Sequence, residues 1–434
     1  MPISDLDNDS ERPPPLGATI PWAKLRAIAI PSPKRRRAKR PLPQLFFGVT
    51  YFSLYLLLCW SVITAITWRL FPGSTTLVGV AALYSAAPIF LFIRRLRWNF
   101  YPTALFRVLV VRVLLYMQLM LPLVTAAGIL GSLIGWPFGA SLATARALAL
   151  LMFVSALVLF TVGYLGSRSL VTRDVEARIP NLPQEFDGLR IVQLSDLHVG
   201  PQRSRTFLAR VVRNVTALRA DVIAVTGDLI DDRPEDVEVY AAALAELNAP
   251  FGVFMIPGNH DVYAGWNDVH ALLRRLVPGH VLVNESRVIQ KGAASLAIVG
   301  TGDPAGTQRG IGAQVGPDIP RALASVPANT VAIALAHNPA LFPVLAERGV
   351  SLTLSGHTHW GQFAIPKRQW SLASRFLQYA MGTYQVGDSL LYVSPGTGYW
   401  GIPFRIGALP EITAVTLRRA PAAGISMGEA QRAV

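Results

Sequence analysis

The residues able to do metal chemistry gather in five short stretches: Ser195-Asp196-Leu197-His198, Thr226-Gly227-Asp228, Pro257-Gly258-Asn259-His260-Asp261, Ala336-His337-Asn338 and Ser355-Gly356-His357-Thr358-His359. Asp196, His198, Asp228, Asn259, His337, His357 and His359 supply oxygen and nitrogen donors of the types that bind Mn, Fe or Zn. Two divalent ions about 3.5–4 Å apart need roughly seven protein donors, one of them a carboxylate able to lie between them. The donor count fits. Singly, each motif is weak, since Asp-x-His is common on surfaces, Gly-Asp and Gly-Asn-His-Asp occur in ordinary turns, and a lone histidine is often a satisfied core residue. Jointly they are strong: of 7 histidines, four are proposed donors and a fifth, His260, shares a turn with Asn259. A centre of this kind lowers the pKa of a bridging water to give hydroxide, and it clamps phosphoryl oxygens for in-line attack. A neutral Asn259 in place of another carboxylate leaves it more positive, which suits an anionic phosphate.

Each stretch follows a short apolar run, at residues 191–194, 222–225, 253–256, 331–335 and 352–354, and further runs lie at 296–299, 390–393 and 412–417. Their length and Val/Ile content read as buried strands. Residues just past the ends of neighbouring strands, about 4.8 Å apart, converge on one crevice. Gly227, Gly258 and Gly356 let the backbone turn sharply there. Between the first two runs, Phe207, Leu208, Val211, Val212, Val215 and Leu218 recur at helical spacing within 204–220. Residues 236–247 and 266–276 also read as helices, and Pro339 after Asn338 marks a helix start. The alternation argues for an α/β layered fold, with the closely spaced later strands forming a second sheet.

The ordered set Asp-x-His, Gly-Asp, Gly-Asn-His-Asp, a later His and Gly-His-x-His resembles the calcineurin-like metallophosphoesterases, specifically their membrane-anchored bacterial members. The likeness spans 189–417, including the closing run Pro403-Phe404-Arg405 to Pro410-Glu411-Ile412. It implies a two-sheet α/β sandwich flanked by helices. It also implies that Asp196, His198 and His359 hold one ion, Asn259, His337 and His357 the other, and that Asp228 bridges them. His260 would sit over the substrate phosphate as a catalytic residue, oriented by Asp261. One departure stands out: membrane-associated relatives carry Gly-Gly-Gln after Gly-His-Thr-His, where this chain has Trp360-Gly361-Gln362. Trp360 either stacks on a base or lines an acyl pocket, or else packs under the following loop. Gln362 and Asp303 are weaker candidates for lining the site. The basic and aromatic segment 367–376 is a membrane-facing loop or an ordinary surface loop.

The rest of the chain is of another character. Mean hydropathy is +0.39 and 15% of residues are charged, too apolar for an ordinary soluble enzyme. The excess sits in four uncharged runs, at 45–68, 72–93, 113–135 and 147–166, each near the ~20 residues that cross a bilayer. The expected order is a basic, disordered tail (1–44), a four-helix transmembrane bundle (45–166), a charged linker (167–178), the catalytic domain (179–420) and a C-terminal tail (421–434). The net charge of +14 is also local: residues 181–420 hold 20 Lys+Arg against 19 Asp+Glu. That near-neutrality argues against extended nucleic-acid binding. The surplus lies at Lys34–Arg40, before the first run, and at Arg94, Arg95, Arg97, Arg107 and Arg112, between the second and third. By the positive-inside rule this places the catalytic domain in the cytoplasm, on the cell membrane. The single cysteine, Cys59, excludes an intramolecular disulfide and any cysteine metal site.

The expectation is therefore a membrane-anchored phosphoesterase with two divalent ions, acting on a phosphodiester or pyrophosphate, with a nucleotide-activated lipid as the leading substrate. Two rivals are a metal-binding scaffold or sensor without catalysis, and a transporter with a regulatory soluble domain. The apolar runs hold no Asp, Glu, Lys or His, which disfavours a transport pathway.

Overall fold

The computed structural model describes residues 42–70, a few positions between 73 and 83, and 103–420 other than 202 and 308–314. The chain divides into two units, Met1–Leu54 and Tyr55–Val434. The strands, in chain order, are β1 (Val171–Ile179), β2 (Arg190–Leu194), β3 (Val222–Thr226), β4 (Val253–Ile256), β5 (His280–Val281), β6 (Glu285–Lys291), β7 (Ala294–Gly300), β8 (Val331–Leu335), β9 (Leu352–Ser355), β10 (Ala364–Ile365), β11 (Trp370–Ser371), β12 (Gly382–Val386), β13 (Ser389–Val393) and β14 (Glu411–Arg419). The main helices are α1 (Leu42–Leu70), α2 (Val113–Gly135), α3 (Ser141–Gly166), α4 (Arg205–Ala217), α5 (Glu235–Leu244) and α6 (Asn259–Leu276).

Two six-stranded sheets form, in the orders β1-β14-β2-β3-β4-β5 and β12-β13-β9-β8-β7-β6. Period-two alternation sorts their side chains. Ile191, Val222 and Phe254 of the first sheet meet Ile298, Ile333 and Leu354 of the second in a shared core. Val192, Ile223 and Val253 point the other way, against Leu208 and Val211 of α4 and Val269 of α6. Ala297, Ala332 and Ala334 on the far face of the second sheet pack under Ile319 and Leu345. The result is the expected sandwich flanked by helices. Its central strands β2, β3 and β4 run parallel, as do β7, β8 and β9, so the carboxyl ends that carry the polar stretches align.

Local chemistry sets the helix boundaries. Ser204 caps α4 by accepting from the Phe207 N–H at 3.1 Å. Helix α6 starts at Asn259, earlier than the expected 266, and is interrupted at Gly265 (φ 107°). The segment expected as a linker is instead largely β1, paired parallel with β14 along its whole length. Its charges mask the strand pattern: Arg173, Asp174, Glu176 and Arg178 are exposed while Ala177 and Ile179 are buried. Charge on the open side is how edge strands avoid further pairing.

The membrane half also differs from expectation. Among the described residues, two helical segments are long and apolar enough to cross a bilayer, 107–138 and 141–166. The four-helix bundle is not established: the 72–93 run falls mostly outside the described residues, as do 1–41, with the first basic run, and 421–434. A shorter apolar stretch, Ser53–Ala65, lies within α1. Arg107 and Arg112, expected in a loop, occupy a π-helical turn continuous with α2. Helices α2 and α3 form a hairpin closed by Gly139 (φ 64°). They approach so closely that a Cβ at Gly131 would lie 2.7 Å from the Ala145 Cα, the small-residue contact that lets spans pack.

Candidate metal centre

The five polar stretches meet at the carboxyl ends of β2, β3, β4, β8 and β9, in backbone that ordinary side chains rarely adopt. Asp196, His198, Asp228, His357 and His359 all have positive φ, from 44° to 72°. Left-handed residues of this kind persist only where surrounding structure enforces them, and they cluster at functional sites. Two glycines make room: a Cβ at Gly258 would collide with the Asp228 carboxylate, and one at Gly356 with Asp196.

The donors converge accordingly. His359 Nε2 lies 3.1 Å from His198 Nε2 and 3.4 Å from Asp196 Oδ1. Asp228 Oδ2 stands between His198 Nε2 at 3.7 Å and His337 Nε2 at 3.3 Å. Asn259 Oδ1 is 3.2 Å from His337 Nε2 and 2.8 Å from His357 Nδ1. Three groups, Asp196–His198–His359, Asp196–Asp228–His337 and, at the rim, His198–Asp231–His260, each bring one donor per residue within 4.8 Å, as a bound cation requires. All seven expected donors are brought together, and their N and O types fit divalent Mn, Fe or Zn.

The buried carboxylates and imidazoles act strongly on one another. Burial alone would raise the Asp228 carboxyl, but His337 first, then His198 and His260, hold it well below the usual carboxylate range. His337 is also fully buried, and Asp228 overcomes that burial to raise it well above its ordinary value. His357 is pushed down to about 4 by burial and by His337. Burial and the Arg405 guanidinium drive His359 well below its ordinary value, favouring the neutral donor form.

Outer contacts orient these donors. His337 Nδ1 is 2.8 Å from the Thr226 carbonyl, leaving Nε2 for the centre, and Ser195 Oγ donates to Asp196 Oδ2 at 2.6 Å. Asp231, absent from the sequence-based set, lies 3.5 Å from His198 Nδ1. Such carboxylate–histidine pairs fix ring orientation and raise donor basicity. Arg405, equally missed as a functional residue, is fully buried behind His359.

His260 is half-buried at the rim, its ring edge-on to His198 with centroids 4.8 Å apart. Its Nδ1 sits 2.8 Å from the Asp231 carbonyl, so the backbone of residue 231 orients it. Asp261 does not do this as expected. Its carboxylate accepts from the Gly258, Leu229 and Ile230 N–H groups and holds the turn together, and burial first, then Asp228, raises its pKa to about 6.

The weaker candidates sort by packing. Trp360 is buried in a small cluster with Ala364, Ala373 and Ala408, so it packs under the following loop. The Gln362 amide is engaged by the Trp400 backbone on both sides, at 2.9 and 3.1 Å. Asp303 is 2% exposed and accepts from the Ala305 N–H, inside rather than lining an open cleft. Two exposed aromatics flank His260 at the mouth: Tyr263, 49% exposed and 6.0 Å from its ring, and Trp400, 54% exposed and 6.3 Å from it. No periodicity distinguishes Trp400 from Tyr399, whose ring is buried.

A model of the calcineurin-like phosphoesterase family matches residues 189–361. Over 247 residues the chain is 34% identical to an uncharacterised metallophosphoesterase of Campylobacter jejuni, covering 57% of this chain and 63% of that one. It is 35% identical over 314 residues to a transmembrane protein with metallophosphoesterase domain of Bos taurus, covering 67% and 68%. An uncharacterised metallophosphoesterase of Bacillus subtilis is 30% identical over 259 residues, covering 59% and 88%. The chain thus spans less than two thirds of the Campylobacter relative's length.

Proposed function

Because this chain belongs to the calcineurin-like phosphoesterase family, we propose that it hydrolyses phosphodiester or pyrophosphate bonds at a membrane surface. The observation that carries this is the buried Asp228 carboxylate, set between His198 of one donor group and His337 of another. Asp196, His198 and His359 would hold one divalent ion, Asn259, His337 and His357 the other, and Asp228 both. The bound ions would supply an activated water and a clamp on the phosphoryl oxygens.

The remaining work falls to the chain's own groups. Asp231 and Arg405 keep the His198 and His359 rings aimed. With Nδ1 donating to the Asp231 carbonyl, His260 exchanges a proton with the leaving oxygen through Nε2. Trp400 offers an exposed face beside His260 on which a base or an acyl chain can rest.

The α2–α3 hairpin is read as membrane-spanning because Leu130, Leu133, Leu150, Leu151, Val158 and Val162 all stand exposed along it. Its turn bears the exposed aromatics Trp136 and Phe138, as interfacial belts do, while Arg107, Arg112 and Arg168 mark the catalytic end. The cytoplasmic side suits that end, and a lipid-linked pyrophosphate, such as a nucleotide-activated lipid, is the leading substrate. The test uses the full chain in detergent with Mn, assayed on nucleotide-lipid, phospholipid, cyclic-nucleotide and simple monoester panels. Turnover of a diester or pyrophosphate well above monoesters is expected, and monoester turnover alone would overturn the proposal.

A further inference from the structure

A second cavity, of about 360 Å³, lies where the hairpin meets the catalytic domain. Arg107, Arg112, Arg168, Arg203, Arg210 and Arg213 line it, and among the described residues no carboxylate does, nor any of the seven donor residues of the metal centre. Three of these arginines come from the ends of the helical hairpin. The other three come from the loop after β2 and from α4, where Phe207, Arg210 and Arg213 share one face.

The cavity is built rather than incidental. Arg203 is 3% exposed, its guanidinium stacked 3.4 Å from the centre of the Tyr399 ring. Arg203 also donates to the Tyr399 carbonyl at 2.8 Å and the Leu197 carbonyl at 3.2 Å. The Tyr164 hydroxyl accepts from both Arg112 at 2.6 Å and Arg168 at 2.9 Å, drawing two guanidinium groups together. Arg107 donates to the Pro201 carbonyl at 2.8 Å, and Arg210 to the Arg168 carbonyl at 2.9 Å. Six guanidinium groups assembled this way suit a phosphate, which they bind through paired hydrogen bonds.

The height of the cavity narrows the source. It sits at the start of the 107–138 segment and just past the end of α3, level with the headgroups if the hairpin spans the bilayer. Basic pockets at span ends are where anionic lipid headgroups bind. We propose that this cavity is a second, non-catalytic site that takes the phosphate of an anionic phospholipid and seats the catalytic domain on the membrane. The proposal rests on the hairpin being membrane-spanning.

The test is native mass spectrometry of the full chain released from nanodiscs of phosphatidylglycerol, phosphatidylcholine or their mixture. The Arg210→Gln/Arg213→Gln variant is compared with Arg219→Gln/Arg287→Gln, which removes equal charge from exposed positions elsewhere. Wild type and control should retain phosphatidylglycerol over phosphatidylcholine, and the cavity variant should lose that preference by roughly tenfold or more. Equal retention by all three proteins, or no preference for phosphatidylglycerol, would overturn the site. Inorganic phosphate bound at these arginines with no lipid retained would overturn the lipid as its source. Alkaline carbonate extraction keeps the two ideas apart: a chain released from membranes fails as a membrane protein, whereas one retained without lipid preference fails only here.

Discussion

The Arg405 guanidinium lies directly behind His359, with Nη2 3.0 Å from the ring Nδ1. Its Nη1 donates to the His359 carbonyl at 3.0 Å and the Pro395 carbonyl at 2.7 Å, while its backbone N–H donates to the Gly163 carbonyl at 2.8 Å, near the end of α3. One residue therefore braces a proposed metal donor and anchors the hairpin.

Arg405→Lys should weaken that brace, because lysine keeps the charge but not the planar fork. Since Nη1 also holds the His359 and Pro395 carbonyls, loosening that loop should lower affinity for one ion roughly 10–100-fold, the usual cost of losing outer support at a metal site. Chelator titration would read this as one ion leaving early. Loss of both ions together, or of neither, would contradict the bracing role.

Asp228 alone is assigned to both ions. Asp228→Ala should therefore deplete both after desalting, and Asp228→Asn, which keeps the shape and the bond from the His260 N–H, should do the same. Metal analysis showing a retained pair in Asp228→Asn would remove the bridging assignment.

His260 is assigned to proton transfer and not to metal. His260→Gln should keep its metal content while turnover falls roughly 10²–10⁴-fold. The fall should be smallest for nitrophenyl esters, whose leaving group needs no proton, and largest for alkyl diesters. An equal loss on both would mean that His260 acts on phosphoryl charge instead.

The two tryptophans separate stability from binding. Trp360 is buried, so Trp360→Ala should destabilise the fold by about 3 kcal/mol, read by thermal or denaturant unfolding. Trp400→Ala should leave stability near wild type and raise KM for substrates bearing a base or acyl chain. The reverse pattern would exchange their roles.

That pair also shows where sequence reasoning stopped. The convergence of the seven proposed donors is legible because each residue follows a short apolar run, and strand ends are adjacent in any layered α/β fold. Trp360 stands next to His359 in sequence, yet its φ of 48° turns it into a local cluster, which neighbouring residue types do not reveal. Asp231 was hidden in an ordinary acidic turn, and Arg405 reaches His359 across 46 positions. β1 was masked by surface charges that edge strands favour. The sandwich was thus readable from local pattern, whereas its outer supports depend on contacts made only after folding.

If the crevice is a two-ion hydrolytic centre, turnover must follow metal occupancy, and one titration measures both. Metal-stripped full-length protein in detergent would be titrated with Mn while bound metal and turnover of bis(4-nitrophenyl) phosphate are followed together. A two-ion centre predicts no turnover in the stripped protein and a plateau at two ions per chain, with the first ion alone giving little activity. Turnover that survives stripping, or saturates at a single ion, would contradict it.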